Sequence, residues 1–281
     1  MGRSHKSDAW HLVSKTGYRD IEAFLRAREK FCVGACSKFI TGNANIWTLN
    51  LNDEISGFLL HSRRSLYPIF CGNREIPLPK FLNRFLRKVP VHSVQGLGCD
   101  TSVLESGMEE RGYRFTDRID YDLMTLDSEP LPGGFRGGPP GLTFRIPADS
   151  DFDELFELQS AYEKEEVVPA GGYFSPDNCR KILKRILCSE RIMIACLGNI
   201  IAGKINTNAE SFSRYQIGGV YVRPEFRGAG IATRMSAEFM GRLISEGRGI
   251  SLYVKKRNAA AGNVYRRLGF LVSGDYKISY Y

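Results

Sequence analysis

Residues 219–232 read Gly-Val-Tyr-Val-Arg-Pro-Glu-Phe-Arg-Gly-Ala-Gly-Ile-Ala, and Pro224 divides the run in two. Before it, Tyr215 to Val222 alternates as a strand does. After it, apolar residues fall at 231, 235, 239 and 243, the repeat of an amphipathic helix from Ile231 to Ile244. A strand that ends in a glycine turn and restarts as a helix leaves backbone N–H groups unpaired at the helix's positive end. Anions bind at such ends, and glycines at 228 and 230 let the backbone come close to a phosphate. Alone, such a loop is as compatible with a plain turn as with a binding site.

A second stretch runs Asn258-Ala259-Ala260-Ala261-Gly262-Asn263-Val264-Tyr265-Arg266-Arg267-Leu268-Gly269-Phe270. It reads as a helix capped by Asn258 and ended at Gly269, with Ala261, Tyr265 and Leu268 on its packed face. Tyr265 brings a phenol of ordinary pKa ~10, able to act as a proton donor. A tyrosine on an apolar helix face can equally be core.

In this order and context the two stretches resemble the GNAT superfamily of N-acetyltransferases. The family's loop pattern is Arg or Gln, two residues, Gly, one residue, then Gly or Ala; Arg227, Gly230 and Ala232 match it, after Val222-Arg223-Pro224. Asn258, Ala261, Tyr265, Gly269 and Phe270 match the second pattern. The resemblance covers residues 142–281, half the chain. It implies that Arg227, Gly228, Ala229, Gly230, Ile231 and Ala232 wrap the pyrophosphate of acetyl-CoA. It implies too that the strand end at Val220, Tyr221 and Val222 offers a backbone N–H to the thioester carbonyl. Asn258 would bond or support the pantetheine arm, and Tyr265 would be the general acid.

The implied activity is direct acetyl transfer from acetyl-CoA to an amine in a ternary complex, an acyltransferase reaction without a metal. The acceptor class is a small-molecule or peptide amine. Two other functions stay open: a non-catalytic CoA-binding or sensing protein, and an aminoacyl transferase of the tandem-GNAT kind. A dinucleotide fold would want an acidic residue about twenty positions on, where Glu246 stands, but the strands before the loop form an antiparallel run. No general base is assigned. The central strands, 215–221 and 251–255, carry no carboxylate. Glu163, Glu165 and Glu166, with Lys164 among them, either border the acceptor site, as that region does in the family, or form a solvated charge run.

These residues need elements to hold them. Residues 142–281 read as strands at 142–146, 192–197, 200–205, 215–222, 250–254, 270–272 and 276–281. Helices fall over 152–158, from Ser175-Pro176 past Leu187, over 231–244 and over 259–268. Residues 130–141 hold four prolines and five glycines and read as a linker. Residues 1–129 show helices at 20–31, 79–89 and 101–111 and strands at 46–51, 55–61 (joined through Asn52-Asp53-Glu54), 66–70, 92–95 and 118–126. Their ending parallels the second half, with Gly112 on Gly269, Met108 opposite Tyr265 and Thr101 opposite Asn258. Between Tyr67 and Leu78 there is no Arg-x-x-Gly-x-Ala, only Gly72-Asn73. The expectation is therefore an α/β (α+β) fold of tandem GNAT-like lobes, each a mixed, mostly antiparallel twisted sheet flanked by helices. The first lobe, 1–129, would be degenerate, structural or acceptor-binding, with a cleft between it and the catalytic lobe, 142–281.

Composition agrees with a folded protein of two lobes: 281 residues, 43% hydrophobic and 25% charged. The net charge of +8 comes without a basic tract or an RNA-reading signature, so it points to a phosphorylated small ligand rather than a nucleic acid. Seven scattered cysteines, with no histidine at ligand spacing from Cys32 and Cys36, read as small buried hydrophobes of a reduced compartment. No apolar run spans a membrane, and Met1-Gly2-Arg3-Ser4-His5-Lys6 lacks the apolar stretch of a signal peptide and a myristoylation serine. A cytoplasmic location is expected.

Overall fold

Alternating apolar residues and glycine turns lay the chain out as twelve strands and eight α-helices in a computed structural model. It describes residues 9–13, 18–51, 54–70, 72, 76–127, 131, 133, 135, 137–168 and 171–281. The Met1–Lys6 run, the Asn52-Asp53 turn and much of the linker (Pro130, Pro132, Gly134, Arg136) lie outside those residues. By its contacts the chain forms two units, Met1–Leu123 with Ser273–Tyr281, and Met124–Val272.

The first unit contains β1 (Ala9–Leu12), α1 (Tyr18–Arg28), α2 (Val33–Ile40), β2 (Asn45–Leu51), β3 (Glu54–Ser62), β4 (Ser65–Phe70), α3 (Pro79–Phe85), β5 (Ser93–Leu97) and α4 (Gly98–Glu109). Its sheet runs β1-β2-β3-β4-β5 and is completed by Ser273–Tyr280 of β12 (Leu271–Tyr280) and the first part of β6 (Asp117–Leu126). Leu49, Leu59, Leu66, Leu82, Val94, Leu104 and Met108 are buried together beneath it. Two elements escape a reading by pattern, β1 and α2. Strand β1 is four residues long, and α2 starts at Cys32 with no side chain capping it. The expected break at Ser273-Gly274-Asp275 is not there: β12 is one strand, and Gly274 admits Leu97, whose side chain would lie 3.3 Å from a Cβ.

The second unit contains β7 (Leu142–Arg145), α5 (Phe152–Tyr162), α6 (Pro176–Ser189), β8 (Ile192–Leu197), β9 (Ile200–Glu210), β10 (Arg214–Val222), α7 (Ile231–Ile244), β11 (Gly249–Lys255) and α8 (Ala259–Arg267). Its strands lie in the order β11-β10-β9-β8-β7. All neighbours are antiparallel except β10 and β11, which are parallel and so require a crossover, supplied by α7. Ile231, Met235, Phe239, Met240 and Leu243 of α7 are buried with Ile217, Ile250 and Leu252 of the sheet. Across the sheet, Leu155 and Leu158 of α5 and Leu183 of α6 pack with Ile194, Ile201 and Tyr221. Ser175 caps α6 by accepting the Asn178 N–H at 3.3 Å, with Pro176 at its first position. Cys36, Cys179 and Cys196 are buried, whereas Cys99 and Cys188 are exposed and do not serve the core.

Candidate active site

The parallel ladder between β10 and β11 runs from Arg214–Gly249 to Ile217–Leu252 and ends there. Beyond Ile217, β10 bulges. Gly218 pairs with Asn206 and Tyr221 with Lys204, so Gly219 and Val220 stand against the single residue Ile205. Gly219 holds φ at +58°, the left-handed conformation that this kind of bulge needs. A Cβ there would run into Asn206 Oδ1 and come within 2.9 Å of Lys204 Nζ. Past the bulge Tyr221 and Val222 pair with Lys204 and Gly203 of β9, while the pairing with β11 has ended at Ile217, so β10 and β11 part at the carboxyl end of the sheet.

After Val222 the chain makes one 3₁₀ turn, Pro224–Phe226, and enters the loop of Arg227, Gly228 and Ala229. Gly228 (φ +77°) and Gly230 (φ +80°) are both left-handed, and Gly230 is the N-cap of the fourteen-residue α7. No side chain caps α7, so the N–H groups of Ile231, Ala232 and Thr233 keep their donor capacity for an external acceptor. A Cβ at Gly228 would meet nothing within 4 Å, which leaves the loop open on that side. Arg227 is fixed from both directions. Its Nε donates to the Val222 carbonyl at 3.0 Å, and its two terminal nitrogens donate to Glu165 at 3.0 and 2.8 Å. That contact raises the pKa of Arg227 and lowers that of Glu165.

Glu165 belongs to a π turn, Glu163–Val167, that continues α5 and closes with Val168 N–H to the Glu163 carbonyl at 2.8 Å. Single π turns inside helices collect at functional sites, because they change which side chains share a face. The three glutamates accordingly take three partners. Glu163 is buried and accepts from Gln159 at 2.9 Å. Glu165 holds Arg227. Glu166 pairs with Lys255 of β11 at 2.9 Å and accepts weakly from Asn258 at 3.4 Å. Glu165 and Glu166 tie the run to the loop after β10 and to the end of β11, while Lys164 and Glu165 stay exposed.

Asn258 caps α8, its Oδ1 accepting the Ala261 N–H at 3.0 Å. Tyr265, one helix turn and more along, is buried with its ring edge-on to Phe270 at 5.8 Å. Burial first, then Tyr162 and Glu166, push its phenol well above the ordinary value. A raised pKa keeps the phenol protonated at neutral pH, as an acid must be. Glu246, by contrast, accepts the Tyr215 hydroxyl at 2.7 Å and has a structural task.

Two residues of this region carry no signal in the sequence. Lys204 of β9 is fully buried, with Nζ donating to the Gly219 carbonyl at 3.0 Å and to Asn206 Oδ1 at 3.1 Å. Burial lowers its pKa to about 7, against the opposing pull of Glu163, Cys179 and Glu190. The ring of Tyr162, the last residue of α5, lies 4.9 Å from that nitrogen. Burial pushes the Tyr162 phenol up to about 12. Among the described residues no cluster of three His, Cys, Asp or Glu side chains is arranged to hold a metal ion, and no helix is long and apolar enough to cross a membrane.

Residues 152–270 match the model of the acetyltransferase (GNAT) family. Similar folds extend much further. A Drosophila protein of known structure superposes over 98% of this chain and 99% of its own at a TM-score of 0.69 and 10% identity. A GCN5-related N-acetyltransferase from Sphaerobacter thermophilus covers 96% of this chain and 94% of its own (0.62, 19%). A tandem GNAT protein from the clavulanic acid biosynthesis pathway covers 96% and 97% (0.57, 13%). At these identities the likeness shows the fold, over nearly the whole chain, and the first unit is compatible with a second GNAT fold. No curated protein matches the sequence.

Proposed function

Residues 152–270 form a domain of the acetyltransferase (GNAT) family, and we propose that the chain uses it as an acetyl-CoA-dependent N-acetyltransferase acting on an amine. One observation carries the reading. The parallel ladder stops at Ile217–Leu252, and the strand beyond it leads into a glycine loop and a helix whose N-terminus no side chain caps. An elongated ligand that ends in a diphosphate would find donors in Gly228, Ala229, Gly230, Ile231 and Ala232. Its arm would enter between the opened strands beside Asn258. The residues present fit acetyl-CoA on those grounds, and the cosubstrate would supply the thioester.

In this reading a backbone N–H from Val220, Tyr221 or Val222 bonds the acyl oxygen, and the bond strengthens as charge develops there. A donor of this kind is worth ~3 kcal/mol. Tyr265 protonates the departing sulfur. Glu166, which pairs with Lys255 at the carboxyl end of β11, is the carboxylate that this reading assigns to the acceptor's ammonium. The same reading gives the first unit a supporting or acceptor-binding role, because its sequence has no matching glycine loop and Met108 stands where the second half has Tyr265.

The test is release of free thiol from acetyl-CoA in the presence of a panel of primary amines and short peptides. Amine-dependent release supports the proposal. Bound acetyl-CoA without release for any amine would favour a CoA-binding protein without catalysis.

A further inference from the structure

The Gly219–Val220 peptide is held by a contact that does not follow from the strand ladder: its carbonyl accepts Lys204 Nζ at 3.0 Å. The lysine is itself held in place, bonded to Asn206 Oδ1 at 3.1 Å and walled by the Tyr162 ring at 4.9 Å. Asn206 in turn donates to the Thr207 carbonyl at 2.8 Å and to Asn208 Oδ1 at 3.3 Å. Burying a lysine costs stability even where it is hydrogen-bonded, so one aimed at a bulge carbonyl and held there by Asn206 points to a reason beyond packing.

The bulge supplies that reason. Gly219 and Val220 are the two residues opposite Ile205, and the direction of the next N–H groups depends on how the Gly219 peptide is rotated. A glycine at positive φ is free to rotate, and the bond to its carbonyl restricts that freedom. We infer that Lys204 is a positioning residue for acyl recognition: by holding the Gly219 carbonyl it aims the backbone N–H at the β10 end toward the acyl oxygen of the bound thioester. This rests on the donor reading above and adds to it a residue and a role. Lys204 has no exposed surface, so it acts through the Gly219 carbonyl.

The experiment needs no acceptor. Dissociation constants of acetyl-CoA and of free CoA are measured by calorimetry on the full-length protein and on Lys204→Met, which keeps the buried stem and removes the donor. CoA lacks the acetyl group, so the ratio of the two constants reads recognition of that group, and its change between wild type and variant reads the aimed N–H. Wild type is expected to prefer acetyl-CoA about tenfold. Lys204→Met is expected to bind CoA as wild type does and to lose that preference. A general loosening of the fold would weaken both ligands alike and would leave the ratio unchanged.

Should Lys204→Met fail to fold, Lys204→Gln carries the same comparison, its amide reaching less far and lowering the ratio in part. A variant that retains the full preference overturns the inference. So does a wild type that binds CoA and acetyl-CoA equally, although the donor site would then stand. If wild type binds neither, the donor reading itself fails and takes this inference with it.

Discussion

The guanidinium of Arg227 and the carboxylate of Glu165 face each other through two parallel hydrogen bonds, 3.0 and 2.8 Å long. The pair fastens the loop before α7 to the π turn after α5. Both side chains are 44% exposed, so the contact is worth at most ~1 kcal/mol to folding. Its consequence should appear in binding. Arg227→Ala removes a positive charge beside the phosphate site and the tether to Val222, and both losses weaken the donor. The acetyl-CoA Kd should rise about tenfold, with a melting shift of no more than about 3 °C. Glu165→Gln loosens the tether but also removes a negative charge, so its Kd should stay within about threefold of wild type. Calorimetry and a thermal melt on the two variants check this.

Tyr265→Phe tests the acid. The hydroxyl is the only group removed, and the buried ring keeps its packing on Phe270. Cofactor affinity should therefore change by less than about twofold, while kcat falls by 10²-fold or so. The thiol-release assay with any productive amine measures it. Unchanged turnover would return Tyr265 to the core.

Lys204 ties stability to pH in a direction that can be derived. Its folded pKa, about 7, lies below the unfolded value of about 10.5. Between these values the unfolded chain binds more protons, so stability from this group rises with pH. The full penalty is present below pH 7 and is relieved progressively toward pH 10. Urea unfolding of wild type and of Lys204→Met should show wild type gaining on the variant between pH 7 and 10, other groups cancelling in the difference. A constant difference would mean that the lysine is not buried as a base.

Much of this site is legible in the sequence, and what is hidden is hidden for physical reasons. Helix α7 occupies Ile231–Ile244 because its apolar residues recur every four positions between a glycine loop and a polar turn. Ser175-Pro176 announces α6 in the same way. Strand β9 runs five residues past its expected end at Ile205, because Asn206-Thr207-Asn208 looks like turn chemistry. Asn206 is instead buried to hold Lys204, and a lysine in an alternating strand looks solvent-facing until its partner strand is known. The bulge at Gly219 depends on register with β9, which no local pattern carries. The three glutamates looked alike in sequence because the π turn that separates their directions has no residue signature.

Gly219→Ala tests the bulge directly. The added methyl group meets Asn206 and Lys204 and favours negative φ, so both packing and backbone oppose it. The expected cost is about 1–3 kcal/mol by urea unfolding. A neutral substitution would show that the strand can pass this point without the bulge.

The central claim is that the second unit binds acetyl-CoA through the loop at Arg227–Ala232. Calorimetry of acetyl-CoA on the full chain and on Gly230→Asp tests it most directly. The carboxylate would stand in the phosphate site at a residue whose φ is +80°. The account predicts one-to-one binding to wild type and none to the variant, with both proteins folded by circular dichroism. Equal binding to the two, or no binding to a folded wild type, would contradict it.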